Sequence, residues 1–288
     1  MQTTESPTIA PLAHPNGVLR IQPSRWLVPV DFRELWRFRG LVRFFVFRDL
    51  KSRYRQTLMG PVWAILRPLG SIVVFTVIFG RIAHIKSNTD IPYALWVTPG
   101  VLAFGYIAGA ITSTSTSLVA NSHLMQKTYF PRLYVPISTT LTPLFDSLLS
   151  LLVLLSLFAY YDRAPSWHIV FLPAFIALSV LLAVGLGLWL CSGTARYRDV
   201  VFAVPFAIGV FQWLTPIIYP PTFIPARFRW LLEVNPFTAV VAGFRWSMLG
   251  TPFGSLTALA ASIGLAAAAT ASGLYVFKRA EGLMVDLL

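Results

Sequence analysis

The sequence predicts an all-α polytopic membrane protein, and two observations carry this prediction. Of its 288 residues, 56% are hydrophobic and only 12% are charged, and the charged residues are concentrated in a few places. Between them lie uncharged runs far longer than a core helix of a soluble protein needs, at 91–126, 164–195, 200–226 and 246–277. Each run can hold the roughly 20 residues with which a helix crosses the hydrocarbon core of a bilayer.

The first 58 residues divide into two parts. Residues 1–30 contain five prolines and no apolar core of signal-peptide length, so we expect a flexible cytosolic tail. Apolar residues recur at helical spacing from 31 to 58, which predicts an amphipathic helix in the membrane interface. Its apolar face carries Leu35, Phe38, Val42, Phe45 and Val46, and a cationic stripe away from that face carries Arg37, Arg48, Lys51 and Arg55. Asp49 and Arg53 are spaced to pair one turn apart.

Six spanning helices are expected in a membrane domain at 60–288. Gly60-Pro61 turns the chain into the first span, since proline is tolerated in the first turn of a helix. We expect the spans at about 62–82, 93–119, 135–160, 168–194, 200–219 and 253–277. The largely apolar stretch 220–252 is too broken by proline for one spanning helix, and half-helices that dip into the membrane fit it best.

The distribution of Lys and Arg predicts the orientation of these spans. With six spans, both termini lie on the same side of the membrane. That side carries 16 Lys and Arg, and the opposite side carries six: Arg81, Lys86, Arg163, Arg227, Arg229 and Arg245. Because cytoplasmic loops are enriched in these residues, both termini are expected in the cytosol.

Several residues within the spans are unusual for a lipid-facing helix. Hydroxyl residues occupy 112–117 without interruption, and they can either pack against neighbouring helices or line a hydrated path. Arg67 and Asp146 are costly inside a span unless they are paired or wet. Gly105 and Gly109 form a GxxxG pattern, for which close helix packing, either within the chain or at a dimer seam, is the expected use.

No motif for catalysis or for binding of nucleotide or metal is present in the sequence. It contains no phosphate-binding loop, no HExxH, no CxxC pair and no GxSxG elbow. The four histidines are scattered over the chain, so their spacing indicates no metal site. We therefore expect no enzymatic activity, no catalytic residue and no cofactor in this chain. A transporter of this kind would need an ion gradient or a separate ATPase.

Six segments resemble the ABC-2 type permeases of polysaccharide exporters, in the right order and over about residues 32–288. They are RDLKSRYRQTLMGPVWAILRP (48–68), KTYFPRLYVP (127–136), RYRDV (196–200), TPIIYP (215–220), NPFTAVVAGFR (235–245) and VFKRAEGLMVDLL (276–288). The tail before residue 31 lies outside the resemblance.

This resemblance implies the permease subunit of an exporter in the inner membrane. Two permeases would work with two copies of a separate ATPase, which would supply ATP and Mg. The substrate would be a glycan on a lipid diphosphate that moves from the cytosolic leaflet outward, with O-antigen preferred over capsule or teichoic acid. The interface helix would lie at 31–58, a coupling helix for the ATPase at 121–132 and re-entrant outer gate helices at 223–249. Coupling residues would be His123, Lys127, Tyr129, Phe130 and Arg132.

Two groups of side chains are candidates for contact with such a substrate. Arginine binds phosphate with two hydrogen bonds and keeps its charge, which favours Arg37, Arg48, Lys51 and Arg55 for the diphosphate. The same cations could instead anchor the helix on anionic lipid or contact the ATPase. Aromatic faces grip sugar rings, which favours Trp96, Phe104, Tyr106, Phe211, Trp213 and Tyr219 for the glycan path. Aromatic belts at the membrane interface would use the same residue types.

Two other functions compete with glycan export. A small-molecule or drug exporter of the same superfamily would share the fold, but the basic interface helix favours an anionic, lipid-linked head group. A non-transporting scaffold or polymerase anchor would not need a polar coupling loop beside broken outer helices.

Overall fold

The computed structural model describes residues 39–55, 57, 59–85, 89–127 and 130–281. Helices joined by short loops account for these ranges, and no strand occurs within them. The all-helical class is therefore confirmed. The predicted tail at 1–30, Arg37 and Tyr129 lie outside the described residues.

The interface helix and the first span are separate helices. Helix α1 covers Arg39–Tyr54, within the predicted 31–58, of which residues 31–38 are not described. Helix α2 covers Val62–Phe75 and continues as a π-helix through Thr76–Ile82, which together match the predicted span 62–82. Gly60 lies between α1 and α2 with φ of +48°, a left-handed conformation that a residue with a Cβ adopts at a cost.

Helix α3, Tyr93–Ser115, lies at the centre of the bundle. In its most apolar window 83% of the residues are buried, compared with 6% in the first span. The helix stops at Ser115, four residues before the predicted end, and a turn at Thr116 leads into α4, Ser117–Ala120. The side chain of Ser115 donates to the carbonyl of Thr112 at 2.8 Å, and Thr116 donates to the same carbonyl at 3.3 Å. Such bonds from side chains to the backbone compete with the helix ladder and end α3 early.

The segment between the second and third spans contains a short helix. Helix α5 covers Ser122–Lys127, six residues of the predicted coupling helix at 121–132. Pro131 cannot continue a helical ladder, and the chain is irregular at Phe130 and Pro131 before the next helix begins. Residues 122–127 of the predicted coupling helix are therefore helical, and its role in coupling stays a prediction.

Three further long helices complete the bundle. Helix α6 covers Tyr134–Tyr160, and a 3₁₀ turn at Trp167–Phe171 leads into α7, Leu172–Arg196. The last described helix is Leu256–Glu281, which starts three residues after the predicted 253 and continues to 281 rather than 277. Within the described ranges, five helices are thus long and apolar enough to cross a membrane.

The predicted count of six spans is not confirmed, because the fifth predicted span is shorter than expected. Helix α8, Val200–Leu214, has 15 residues and ends five residues before the predicted 219. At 1.5 Å per residue it is about 22 Å long, less than the hydrocarbon core of about 30 Å.

The broken stretch after α8 contains four short elements. They are two 3₁₀ turns at Pro221–Phe223 and Ala226–Phe228, helix α9 at Trp230–Val234 and helix α10 at Pro236–Leu249. With these introduced, Leu256–Glu281 is helix α11. The breaks expected from proline are present, whereas an outer gate at 223–249 stays a prediction.

Glycines bring α7 and α11 into backbone contact. A Cβ on Gly185 would lie 2.6 Å from the backbone nitrogen of Thr270, and one on Gly273 would lie 2.6 Å from the carbonyl oxygen of Gly185. The GxxxG pattern has a different setting, because no described atom lies within 4 Å of a Cβ placed on Gly105. Gly105 therefore has no close packing partner within the described chain, since that face of α3 borders a cleft, and the dimer seam stays a prediction.

Candidate functional site

A cleft of about 860 Å³ lies between α1, α2, α3, α6 and α8. Three charged side chains line it, namely Arg53 from α1, Arg67 from α2 and Asp146 from α6. Gly60, Gly105 and Gly109 also lie along its wall, where they leave space that side chains would fill. The volume falls within the range of about 300 to 1,000 Å³ that is usual for ligand pockets.

Asp146, in the middle of α6, is bound by two side chains from the end of α1. The guanidinium of Arg53 donates to one carboxylate oxygen at 2.5 Å, and the hydroxyl of Tyr54 donates to the other. An acid inside a spanning helix needs such partners. The pair expected between Asp49 and Arg53 does not form, because Arg48 binds Asp49 at 2.7 Å and Arg53 turns toward α6.

The Tyr54 hydroxyl is held in its protonated form. Burial raises the pKa of Tyr54, and the hydrogen bond to Asp146 and the negative charge of that carboxylate raise it further. The positive charges of Arg53 and Arg67 act in the opposite direction on the same pKa. Tyr54 is therefore a hydrogen-bond donor at neutral pH, aimed at an anionic group.

Arg67 contributes a second positive charge to the cleft. Its side chain is exposed, and it forms no ion pair with the residues that the structure describes. Helix α2 is held beside α6 by the hydroxyl of Ser150, which donates to the carbonyl of Ala64 at 2.8 Å. The requirement that a cation in a span be paired or wet is met here by exposure to the cleft.

The hydroxyl run of 112–117 serves two purposes. Thr112 and Ser113 line the cleft. Thr114 is buried and forms a hydrogen bond of 2.7 Å with Thr140 of α6, and buried Ser117 contacts Cys191 of α7 at 3.3 Å. The expected packing use therefore applies to Thr114 and Ser117, while Thr112 and Ser113 face the cleft and their place on a hydrated path stays a prediction.

The first three candidates for the glycan path come from α3, and two of them line the cleft. Phe104 and Tyr106 contribute to the wall, although both are largely buried. The hydroxyl of Tyr106 donates to the carbonyl of Thr140 at 3.2 Å. Trp96 does not line the cleft and is buried beneath the side chain of Arg245.

The remaining glycan candidates lie at the end of α8 and beyond it. Phe211 packs its ring 5.3 Å from that of Phe237, and Trp213 is exposed. The hydroxyl of Tyr219 donates to the carbonyl of Trp213 at 2.8 Å. Only Trp213 among these three presents most of its side chain on the surface of the chain, with 59% exposed.

The predicted head-group cations differ in their surroundings. Arg48 donates to Asp49 and to the side-chain oxygen of Asn121, the latter at 2.6 Å, and its guanidinium lies 4.8 Å from the ring centre of Phe45. Lys51 and Arg55 are exposed. Arg48 thus joins α1 to Asn121, just before α5, while Lys51 and Arg55 remain accessible.

The segment 121–132, called the coupling segment because coupling to an ATPase is predicted for it, contacts elements at both ends of the described part of the chain. Phe130 packs its ring 5.3 Å from that of Phe45 in α1. Arg132 donates to the backbone carbonyl of Glu281 at the end of α11, at 3.0 Å. His123 is exposed on α5, which ends at Lys127. Two of the predicted coupling residues therefore also hold the bundle together.

Arg245, which sequence reasoning placed among the cations of the outer side, is buried with 5% exposed. It donates to the carbonyls of Trp96 at 3.2 Å and Pro216 at 2.7 Å, and also to that of Ile217. Two of these bonds provide donors for backbone carbonyls in the irregular segment Thr215–Tyr219, which lies outside any helix. A lone arginine in an otherwise uncharged helix was the signal that could have revealed this role.

Asn235 makes a second connection between the same two segments. Its side-chain oxygen accepts from the backbone nitrogen of Phe237 at 3.0 Å, which caps α10. Its amide nitrogen donates to the hydroxyl of Thr215, also at 3.0 Å. The motifs TPIIYP and NPFTAVVAGFR are thus joined by hydrogen bonds at both Asn235 and Arg245.

Comparison with known proteins identifies similar membrane proteins. The model of the family described as ABC-2 type transporter matches residues 41–249. The chain is 27% identical over 199 residues to the O-antigen export system permease protein RfbA of Klebsiella pneumoniae, covering 67% of this chain and 74% of that protein. It is 26% identical over 211 residues to the protein of the same name from Myxococcus xanthus, covering 73% and 80%. The polysialic acid transport protein KpsM of Escherichia coli is 25% identical over 200 residues, covering 67% and 75%.

Proposed function

Because this chain belongs to the ABC-2 type transporter family, we propose that it is the permease subunit of an ATP-driven polysaccharide exporter. Its substrate is a polysaccharide linked to a lipid diphosphate, with O-antigen as the first choice. The substrate moves from the cytosolic side to the outer side of the inner membrane. Relatives named as O-antigen export permeases support this choice of substrate. The relative named for polysialic acid transport keeps capsule as the second choice, and teichoic acid and a small molecule are further alternatives.

The observation that carries this proposal is the cleft beside the interface helix. Arg53 and Arg67 supply positive charge, and the remaining lining includes hydroxyl groups and the half-exposed aromatic side chain of Trp63. A lipid diphosphate has a strongly anionic head and an apolar tail, while its glycan needs hydroxyl and aromatic contacts. One surface that offers all three kinds of contact suits such a molecule better than a small apolar drug.

The head-group role extends beyond the cleft to the exposed face of α1. Lys51 and Arg55 are accessible and would attract the diphosphate to the cytosolic surface of the membrane. Arg48 is already bound to Asp49 and Asn121, so its role in our proposal is to hold α1 against the coupling segment. Arg37 keeps its expected place in this group.

Export requires partners that this chain would bind in the membrane and in the cytosol. We propose a homodimer of this permease with two copies of a separate ATPase, which binds ATP and Mg. The coupling segment around exposed His123 would contact the ATPase. Through Phe130 and Arg132, movement of this segment would reach α1 and α11 directly. The chain itself needs no catalytic residue for this function.

The distribution of charge supports cytosolic termini. Of the six cations assigned to the outer side, Arg245 is buried, which leaves five against 16 on the side of the termini. This bias matches the enrichment of Lys and Arg in cytoplasmic segments.

Reconstitution tests the proposed function. The permease is placed in proteoliposomes with its partner ATPase and a panel of lipid-linked glycans, and translocation is scored with and without ATP. We expect ATP-dependent translocation of O-antigen linked to its lipid and no ATP hydrolysis by the permease alone. Transport of only a small molecule would overturn the choice of substrate, and absence of any ATP-dependent flux would favour a membrane scaffold or polymerase anchor.

A further inference from the structure

We propose that Arg53, Tyr54 and Arg67 form an anion-binding site inside the cleft for the phosphate ester of a membrane-borne amphiphile. The carboxylate of Asp146 occupies this site until the ligand replaces it. The inference rests on the proposed function and deepens it, because it names the residues that receive the head group. Arg67 was not among the cations that the sequence suggested for this role.

The geometry places a carboxylate where two of these donors meet, in a cleft that the third donor also lines. Asp146 accepts from Arg53 on one carboxylate oxygen and from Tyr54 on the other. Both donors lie at the end of α1, next to the Gly60 corner that leads into α2. Arg67 lines the same cleft from α2, and its side chain is exposed. The carboxylate of Asp146 thus occupies the position that the anionic group of a ligand would take in our proposal.

The charges that line the cleft favour an anion with more negative charge than a single carboxylate. Two arginines and one acid line the cleft among the described residues, so one positive charge is not neutralised. A phosphate ester has more acceptor oxygens than a carboxylate, and a diphosphate carries at least two negative charges. It could therefore accept from Arg53, Tyr54 and Arg67 together, with the two-bond geometry that guanidinium groups favour.

The surroundings favour an amphiphile that arrives from the membrane. Helix α2 forms one wall and is mostly exposed along the first span. Trp63 lines the cleft and also has 48% of its surface exposed, so the wall continues onto the surface of the span. A free phosphate ion has no apolar part that could contact Trp63 or α2. A lipid could place its tail along α2 while its phosphate lies between α1 and α6.

A binding experiment on the intact complex tests the site. The permease with its ATPase is placed in nanodiscs of phosphatidylcholine, and affinity for a fluorescent short-chain polyprenyl diphosphate is measured. We expect Arg67→Gln to weaken binding about tenfold or more, as loss of a charge-assisted contact does. Arg67→Lys should keep part of the affinity. The matched control is Arg81→Gln, which removes an exposed arginine from the other end of the same span.

Asp146→Asn should change the affinity for the probe in the opposite direction to Arg67→Gln. If the carboxylate competes with the ligand, its removal should strengthen binding several-fold, whereas a purely structural role for Asp146 would weaken binding or leave it unchanged. A variant that does not fold would show no binding and a lowered melting temperature. In that case the affinity of Arg67→Gln for the probe tests the proposal. This variant leaves the contacts of Asp146 with Arg53 and Tyr54 intact. Equal affinity of Arg67→Gln and Arg81→Gln would overturn the proposal.

Competitors distinguish the source of the phosphate. Inorganic pyrophosphate and vesicles containing phosphatidylglycerol are each added to the bound probe. We expect pyrophosphate to compete weakly and phosphatidylglycerol to compete far less than unlabelled polyprenyl diphosphate. Equal competition by phosphatidylglycerol would assign the site to ordinary phospholipid and overturn its link to the glycan carrier.

The result is separable from that of the proposed function. Probe binding that depends on Arg67, without any glycan translocation by the wild-type complex, would support the site and contradict the function. Glycan translocation with no effect of Arg67→Gln on binding would support the function and contradict the site.

Discussion

The guanidinium carbon of Arg245 lies 3.7 Å from the centre of the Trp96 ring, and both side chains are buried. The same guanidinium donates to the carbonyls of Trp96, Pro216 and Ile217. No carboxylate among the described residues pairs with it. One cation therefore joins α3, α10 and the irregular segment after α8 through an aromatic face and backbone oxygens.

Arg245→Lys should destabilise the protein by about 2 to 3 kcal/mol, because an ammonium group cannot reach all three carbonyls and leaves buried acceptors unpaired. The melting temperature in detergent measures this loss. Arg227→Lys is the matched control, since Arg227 stacks on Phe228 at 4.7 Å but is exposed. Its expected effect is within about 0.5 kcal/mol. Equal melting temperatures for both variants would contradict the structural role of Arg245.

Asn235→Ala should cost about 1 to 3 kcal/mol, because it removes the cap of α10 and the donor to Thr215. Asn235→Ser should lose less, since serine also caps helices well but cannot donate to Thr215 in the same way. Thermal unfolding of both variants measures the difference. If serine and alanine were equally destabilising, the cap would contribute nothing at this position.

Two glycine substitutions should differ in their effect on stability. Gly185→Ala places a methyl group 2.6 Å from the backbone of Thr270, and separation of α7 from α11 should cost about 1 to 3 kcal/mol. Gly105→Ala meets no described atom within 4 Å and should change stability by less than about 0.5 kcal/mol. Melting temperatures test the pair. A larger loss for Gly105→Ala would mean that another chain packs on that face.

A double-mutant cycle tests the contact between α1 and α6. Arg53→Gln leaves Asp146 without its ionic partner and should cost about 1 kcal/mol, a modest value because both side chains are partly exposed. Adding Asp146→Asn should recover most of this loss, since no charge is then left unpaired. Unfolding of the two single variants and the double variant gives the coupling energy. Additive effects would show that the two side chains do not interact in solution.

Replacement of Lys127, Tyr129 and Arg132 together by alanine should uncouple ATP hydrolysis from export. ATPase activity and translocation are measured on the same proteoliposomes. Arg132→Ala alone is a necessary comparison, because Arg132 also holds the end of α11 and its loss should lower the melting temperature. Arg81→Ala changes a cation on the other side of the bundle and should affect neither quantity. Unchanged hydrolysis and export in the triple variant would show that the coupling surface lies elsewhere.

The helical class and most span positions could be predicted because they depend on local properties of the chain. Long uncharged runs cannot remain in water, and proline interrupts a helix wherever it occurs. The first span and the breaks after Tyr219 follow from these two facts. The early end of α8 at Leu214 was missed, because hydropathy does not show where an apolar chain stops being helical.

The partners of polar residues could not be predicted in the same way. Helical spacing correctly placed Asp49 and Arg53 one turn apart, but it could not show that Arg53 points toward Asp146, which is 93 residues further along the chain. The GxxxG pattern likewise depends only on spacing along the chain, and it predicted that Gly105 packs closely against another helix. The rotation of α3 in the bundle instead turns that residue toward the cleft.

The sequence by itself determined that this protein is a helical membrane protein with a basic N-terminal helix, an apolar stretch broken by proline at 220–252 and the motifs of its family. These properties follow from composition, periodicity and proline, which act on neighbouring residues. Only the tertiary structure decided that Arg53, Tyr54, Arg67 and Asp146 share one cleft, and that Arg245 is buried against Trp96. Contacts between distant segments depend on how each helix is rotated and packed, and that is set by the bundle as a whole.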